Sequence, residues 1–393
     1  LREKPHILHV VAWWPQKESP FRGLFIREHI LATRNNFNPT VLHLEIDKSN
    51  EAIPFKISTT EQDDEGLRVI RLRISTSIRR FGVHDWLVKR AYSQAISRIE
   101  REQPFDLYHI HVRTHLTKLV PELSILRSKP FLLSEHFSFY HRGFFLLEPQ
   151  EQKTQQAAIA RWFQSTQLRR IMPVSSELME VLASKFEAPE GKLKMVRNIA
   201  SSVFAFDSEI GRKSGKLVLV ASWNKPKNPR VFIEALQLLP KALAQGLEVH
   251  FIGDGPELTA AKELIDSSVR EISFEFHGPQ SKTYIARHLK EAQFLVHPTD
   301  AENAPTVISE ALCCGTPVLS MAVNGIPEMV TDQNGHLVPP GDAAALAKAM
   351  EQMLNHSSFD HRTIAEEARM LYSPEAVGAS IEAEYHQIID QHG

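Results

Sequence analysis

Cysteine is nearly missing: Cys313 and Cys314 are the whole complement in 393 residues. Adjacent cysteines inside a helical run cannot meet in disulfide geometry, and they supply no metal-ligand spacing. The pattern fits a reducing compartment, so a cytoplasmic location is expected. An excess of one charge sign is missing as well. Lys and Arg number 45 against 47 Asp and Glu, a net charge of -2, which argues against wholesale nucleic-acid binding and against an acidic disordered chain. No apolar stretch is long enough to span a bilayer. The opening run from Ile7 to Trp14 contains His9 and stops at Pro15, and it reads as a first strand rather than a signal sequence. The chain opens on Leu1 without a methionine, which leaves open a segment or leader upstream. Internal repeats, low-complexity tracts and D-x-D pairs with a clear metal role beside a strand are also lacking.

What is present is 42% apolar residues over a length that suits two domains better than one. Short β-rich runs alternate with helical patterns: HILHVVAW, TVLHLEI, LRVIRLRI, DLYHIHV and PFLLSEH in the first half, with helices at about 24–34 and 84–101. After the turn-like stretch 204–216 the alternation restarts with KLVLVAS, LEVHFIG, ISFEFHG, AQFLVHP, PVLSMAV and GHLVPP. Strand, helix, strand repetition implies right-handed crossovers and mainly parallel sheets. The expected class is α/β, with two Rossmann-like units, residues 1–204 and 205–371. In such sheets ligands sit beyond the carboxyl ends of the strands, so the loops after LVLVAS, HFIG, EFHG and LVHP should converge.

One of those loops opens the most informative stretch, ENAPTVISEALCCGTPV. Pro305 suits a helix start and Gly315 a left-handed stop, which predicts a helix over about 305–314. Its first-turn amides, from Thr306 and Val307, form an anion site suited to a diphosphate. Glu310 lies one turn beyond Thr306, and Glu302 sits in the loop just before. Carboxylates accept hydrogen bonds from hydroxyls, so a sugar on either side of a diphosphate would use both acids. Spacing alone is equally served by a plain helix with an acid favouring its dipole and one solvated glutamate. A glycosidase pair needs carboxylates about 5–9.5 Å apart, whereas eight largely helical residues span roughly 12 Å at 1.5 Å each.

This stretch, with NGIPEMV and NGHLVPPGD after it, resembles the donor-binding block of retaining family 4 (group 1) glycosyltransferases of GT-B fold. The resemblance implies two Rossmann-like domains facing a central cleft, with a C-terminal helix, residues 372–393, crossing back to the first. It also implies that Glu302 contacts the transferred sugar, that Asn303, Ala304, Pro305, Thr306 and Val307 line the phosphates, and that Glu310 holds the ribose. WWPQKESPFRGLFIREH is similar to the family's first loop, where Gly23 approaches the donor; LLSEHFSFY puts His136 beside the sugar. Asn198 matches the interdomain stretch, although the family's Asn-Gly is here Asn198-Ile199. LVLVASWNKPKNPRVFIEAL supplies Lys227 to the diphosphate, but Ser222 stands where the family has an arginine, so Lys225 substitutes or Lys227 and the helix amides act alone. Gly253 and Gly255 in VHFIGDGPEL form a donor-side loop rather than a dinucleotide fingerprint, since the third glycine is Leu258. Gly278 and Pro279 frame the base.

By this resemblance His136, Glu302 and Lys227 are catalytic, and a hexosyl or N-acetylhexosaminyl unit passes from a UDP- or GDP-linked donor to a glycan or lipid-linked acceptor. Anomeric configuration is retained, and no cofactor or metal is expected. A nucleotide-sugar-binding GT-B protein without transfer, or an epimerase, is the alternative. Residues 68–90 carry seven Lys or Arg against one acid, with Leu72, Ile74, Phe81 and Trp86 interleaved. Such a run reads either as an ordinary amphipathic strand and helix or as a peripheral contact with an anionic membrane at the inner face.

Overall fold

The computed structural model describes residues 4–17, 19–47, 55–76, 81–136, 138–269, 271–356 and 359–392. They form two compact units. The first comprises Leu1–Val174, Met179–Val196 and Val377–Gly393; the second comprises Ser175–Leu178 and Arg197–Ala376.

The first unit is built on strands β1 (His6–Val11), β2 (Asn38–Asp47), β3 (Phe55–Asp64), β4 (Leu67–Thr76), β5 (Leu107–His111), β6 (Phe131–Glu135) and β7 (Leu168–Pro173). Their order across the sheet is β3-β4-β2-β1-β5-β6-β7. All neighbours run parallel except β3 and β4, an antiparallel hairpin turned at Glu65 and Gly66. β1, β5 and β6 are buried along their whole length, as expected for parallel strands covered on both faces. β3 and β7 are not among the strands expected from the sequence. β3 is mostly exposed and polar (FKISTTEQDD) and β7 carries Arg169 and Arg170, so neither gives an apolar run.

The second unit holds β8 (Lys216–Val220), β9 (Glu248–Ile252), β10 (Ser273–Phe276), β11 (Phe294–His297), β12 (Val318–Met321) and β13 (Gly335–Val338). All are parallel, in the order β10-β9-β8-β11-β12-β13. Between β8 and β9 run two helices, Pro229–Gln237 and Lys241–Ala244, because Pro240 cannot continue the first.

The last helix, Pro374–Asp390, begins in the second unit and packs its length onto the first. Gly378 lies so close to Ala32 that a Cβ would stand 2.9 Å from its carbonyl oxygen. Tyr385 Oη meets His109 Nδ1 at 2.6 Å, and Glu384 pairs with Arg170. This is the returning helix that the resemblance implies. Among the described residues no helix is long and apolar enough to cross a membrane.

Candidate active site

The second sheet reverses its order of addition between β8 and β11: β9 and β10 extend it on one side of β8, β11 to β13 on the other. Loops leaving two such strands diverge and leave a crevice at their carboxyl ends. The loop after β8 carries Ser222, Lys225 and Lys227, and the loop after β11 carries Glu302 to Pro305. Backbone contacts join the two. Lys227 and Thr299 form a β-bridge; the Asn228 N–H donates to the Pro298 carbonyl at 3.1 Å and the Asp300 N–H to that of Pro226 at 3.0 Å. Asn228 also donates from its amide to the Asp300 carboxylate at 3.2 Å, while its Oδ1 accepts from the Val231 N–H and caps the helix Pro229–Gln237.

These contacts bring Lys227 Nζ against Glu302 Oε1 as an ion pair. Burial pulls the Lys227 ammonium from its ordinary value down to about 7, while the Glu302 carboxylate favours the charged form. Ser222 and Lys225 stand on the same loop but are exposed. Ser222 Oγ accepts from Asn224 Nδ2 at 2.9 Å. Lys227 is therefore the cation that the fold sets against an acid here.

The loop 302–305 is held from several sides. The Glu302 N–H donates to Asn324 Oδ1 at 3.2 Å, and Asn198 Nδ2 donates to the Ala304 carbonyl at 2.8 Å. Gly325 presses so closely on the same loop that a Cβ there would stand 2.0 Å from the Asn303 carbonyl oxygen. Asn303 and Pro305 are buried. Pro305 is the N-cap, in extended backbone, and the helix runs Thr306–Cys313, one residue shorter at each end than expected. Proline offers no side-chain acceptor, so the first-turn amides carry no side-chain cap, which is the condition for an anion site. Gly315 ends the helix at φ +70 as expected. Glu310 is half-buried, one turn beyond Thr306.

The glycines of VHFIGDGPEL have an internal explanation. Gly253, at φ +107, would place a Cβ 1.9 Å from the Ala221 carbonyl oxygen, and Gly255 one 2.3 Å from that of Trp223. Both let the loop after β9 lie flat against the loop after β8. The Gly253 N–H then donates to the Gly278 carbonyl at 2.8 Å, which ties in the turn of Gly278 and Pro279. All the second-unit residues singled out in the sequence thus fall on adjoining loops, or on the helix that follows one of them.

Gly23 and His136 belong to the first unit. Gly23, at φ +78, caps the helix Leu24–Thr33, and a Cβ there would stand 2.5 Å from the Trp13 carbonyl oxygen. His136 follows β6; its N–H donates to the buried Glu135 carboxylate at 3.0 Å, and its ring lies 4.6 Å from that of Phe25 and 5.2 Å from that of His29. Asn228, Asp300, Asn324 and Gly325, which build the second-unit site, receive no role in the sequence reading. The Asn-Gly-Ile-Pro turn signal in NGIPEMV marks two of them.

A largely covered cation, uncapped helix amides and two flanking carboxylates suit a phosphate-bearing ligand with hydroxylated ends. Residues 203–370 match the family described as glycosyl transferases group 1. The chain is 31% identical over 156 residues to the putative colanic acid biosynthesis glycosyltransferase WcaL of Salmonella typhimurium, covering 38% of this chain and 37% of that protein. The chain spans less than half the length of the curated relatives it matches. Among solved structures, sucrose-phosphate synthase from Thermosynechococcus elongatus superposes with a TM-score of 0.75 at 17% identity over 99% of this chain and 100% of that one. Anabaena Alr3699/HepE in complex with UDP and glucose gives 0.69 at 14% over 98% and 100%. Residues 203–370 thus resemble the group 1 glycosyl transferases, on a chain of GT-B fold.

Proposed function

We propose that the protein is a retaining glycosyltransferase that moves a hexosyl or N-acetylhexosaminyl unit from a nucleoside-diphosphate sugar to an acceptor hydroxyl, in polysaccharide or glycolipid assembly. The observation that supports it most is the Lys227–Glu302 pair beside the uncapped start of the helix Thr306–Cys313. In this reading the diphosphate lies on the Thr306 and Val307 amides and on Lys227. As the bond from the anomeric carbon to the phosphate oxygen breaks, negative charge grows on that oxygen, and these donors stabilise it. One preorganised donor of this kind is worth about 3–4 kcal/mol. The positive charge of lysine and helix amides takes the part a divalent ion plays elsewhere. The acceptor hydroxyl forms the new bond on the face the diphosphate leaves and passes its proton to the departing oxygen. Glu302 holds the transferred sugar and Glu310 the ribose. By family resemblance Gly23 of the first unit is assigned to the donor and His136 to the transferred sugar.

A UDP-linked donor is the first to test, since Alr3699/HepE was solved with UDP and glucose; a GDP-linked donor is the second. The fitting nucleotide should raise apparent stability by about 2.7 kcal/mol at a hundredfold excess over Kd. Labelled UDP- and GDP-sugars should then give a glycosylated acceptor with the donor's anomeric configuration. Free sugar or epimer as the sole product, or an inverted anomer by NMR, would overturn the assignment.

Peripheral attachment to an anionic membrane is part of the proposal, on a narrower footing than the basic run suggests. Arg68 pairs with Glu61 and Glu102, Arg73 with Glu45 and Asp47, and Lys89 with Glu122. Arg79 and Arg80 lie outside the described residues. What faces outward is Trp86, 51% exposed beside Phe55 at 43%, with the Arg90 guanidinium 5.4 Å over the Trp86 ring. Flotation with anionic liposomes at low salt should carry the protein upward and Trp86→Ala should reduce the floated fraction; a parent that stays at the bottom removes this part of the proposal.

A further inference from the structure

We propose that His250, His277, His288 and Glu275 form a binding site for a single zinc-class transition-metal ion on the outer edge of the second sheet, apart from the loops of Lys227 and Glu302. The backbone already aligns the four. β9 and β10 pair in parallel with Glu275 opposite His250, so their side chains leave the same face. His277 follows Glu275 by two residues and continues the ladder, its N–H donating to the Phe251 carbonyl at 3.0 Å, which returns it to that face. His288 comes down from the covering helix Lys282–Glu291.

The donor atoms have the spacing of a coordination polyhedron. His250 Nδ1 and His277 Nε2 are 3.0 Å apart. Glu275 Oε2 lies 3.5 Å from the first and 3.6 Å from the second. A tetrahedral ion with ligands at about 2.05 Å needs ligand atoms about 3.3–3.4 Å apart, and this triangle brackets that length. One nitrogen from each of the three histidines lies within 4.8 Å of the others. His288 Nδ1 is buried with no hydrogen-bond partner, so a ring turn that completes the fourth vertex breaks no bond of that atom.

The group behind His277 holds its tautomer in the required sense, and an ion would replace the proton that His250 Nδ1 and His277 Nε2 share. His277 Nδ1 meets Tyr284 Oη at 2.9 Å, so a proton on Nδ1 leaves the Nε2 lone pair facing His250. His250 Nε2 is buried without a hydrogen-bond partner but has Glu248 Oε2 at 3.8 Å. A small shift makes Glu248 the acceptor behind a metal-bound imidazole, the usual support for such a ligand. The nearby Lys216 ammonium is paired with Glu291 Oε2 at 2.7 Å. Glu275 is 54% exposed and gives an ion access from solvent. Two other histidine groups share His111, one with His9 and His109 and one with His29 and His136; in the first, both nitrogens of His109 are engaged, by Tyr385 at 2.6 Å and Ser134 at 2.9 Å. An ion in the proposed site would tie edge strand β10 and the 277–281 turn to β9 and the covering helix.

The test uses the full chain stripped with EDTA and titrated with Co2+ and then Zn2+. One equivalent of Co2+ should develop the intense visible bands of a four-coordinate ion, Zn2+ should displace it, and Zn2+ should raise the melting temperature. Glu275→Gln, at an exposed carboxylate, should weaken Zn2+ by at least about tenfold. His288→Gln should do the same or more, while melting like the parent in EDTA. A parent that binds neither ion overturns the site. So does binding that survives both variants and is lost in His9→Asn or His111→Asn.

Discussion

Lys227→Met is expected to lower kcat by about 10²- to 10³-fold, the loss found when one preorganised donor is removed from a developing oxyanion. The side chain is close in volume to lysine, so packing at this largely covered position is kept and only the charge goes. A lysine touching a glutamate has a plainer explanation, however: it neutralises Glu302 and does nothing else. Removing one partner of a covered pair leaves the other uncompensated, and that alone is destabilising. The double variant Lys227→Met with Glu302→Gln separates the two. If Lys227 serves the diphosphate, the double variant recovers melting temperature but not affinity for UDP, which carries no sugar for Glu302 to hold; recovery of both means that the lysine is a counter-ion only.

The pH dependence gives a second signature. Free lysine titrates near 10.4, whereas burial brings Lys227 to about 7. Between those values the unfolded chain holds a proton that the folded one has lost, so this group makes stability rise with pH across that window. A bound diphosphate favours the protonated lysine, so binding takes up a proton and the Kd for UDP should rise above pH 7, by up to tenfold per pH unit. Stability and affinity therefore move in opposite directions with pH. In Lys227→Met the slope of Kd should vanish; a slope that persists places the titrating group elsewhere.

Much of this was legible in the sequence wherever one run of residues satisfies one local rule. Buried parallel strands such as β1 and β5 are continuous apolar runs, and Pro305 and Gly315 bracket a helix within one residue of its ends. β3 was not legible, because an exposed strand needs no apolar face and its partner β4 supplies the ladder. The site divides in the same way. Lys227, Glu302 and Glu310 stand inside quotable motifs, whereas the contacts that place them cross between loops 70 residues apart, as in Asn228 to Asp300 (|i−j| of 72). The glycines make the point from the other side. Gly253 and Gly255 look like ligand-facing residues, and their steric need comes from the Ala221 and Trp223 carbonyls.

Gly325→Ala is the substitution in which that hidden architecture should matter most. Gly325 has φ -81, a value open to every residue, so the change introduces no backbone strain and acts only through the methyl group. That methyl would stand 2.0 Å from the Asn303 carbonyl oxygen and 2.8 Å from Ser175 Cβ, so the 302–305 loop has to move. The neighbouring residue, Asn324, holds the Glu302 N–H, and the shift reaches the acid and the helix start together. Overpacking of this kind costs about 1–3 kcal/mol, at about 2–4 °C of melting temperature per kcal/mol for a unit of this size. A displacement of about 1 Å at a positioning loop costs about a hundredfold in rate. Gly335→Ala is the matched control: its methyl would stand 2.0 Å from the Val318 carbonyl oxygen, in the same unit but at the far edge strand β13. Both variants should lose similar melting temperature; measured well below it, only Gly325→Ala should lose turnover and nucleotide affinity. Equal activity in the two would mean that Gly325 packs the fold without positioning Glu302, and the loop would no longer be the element that sets the site.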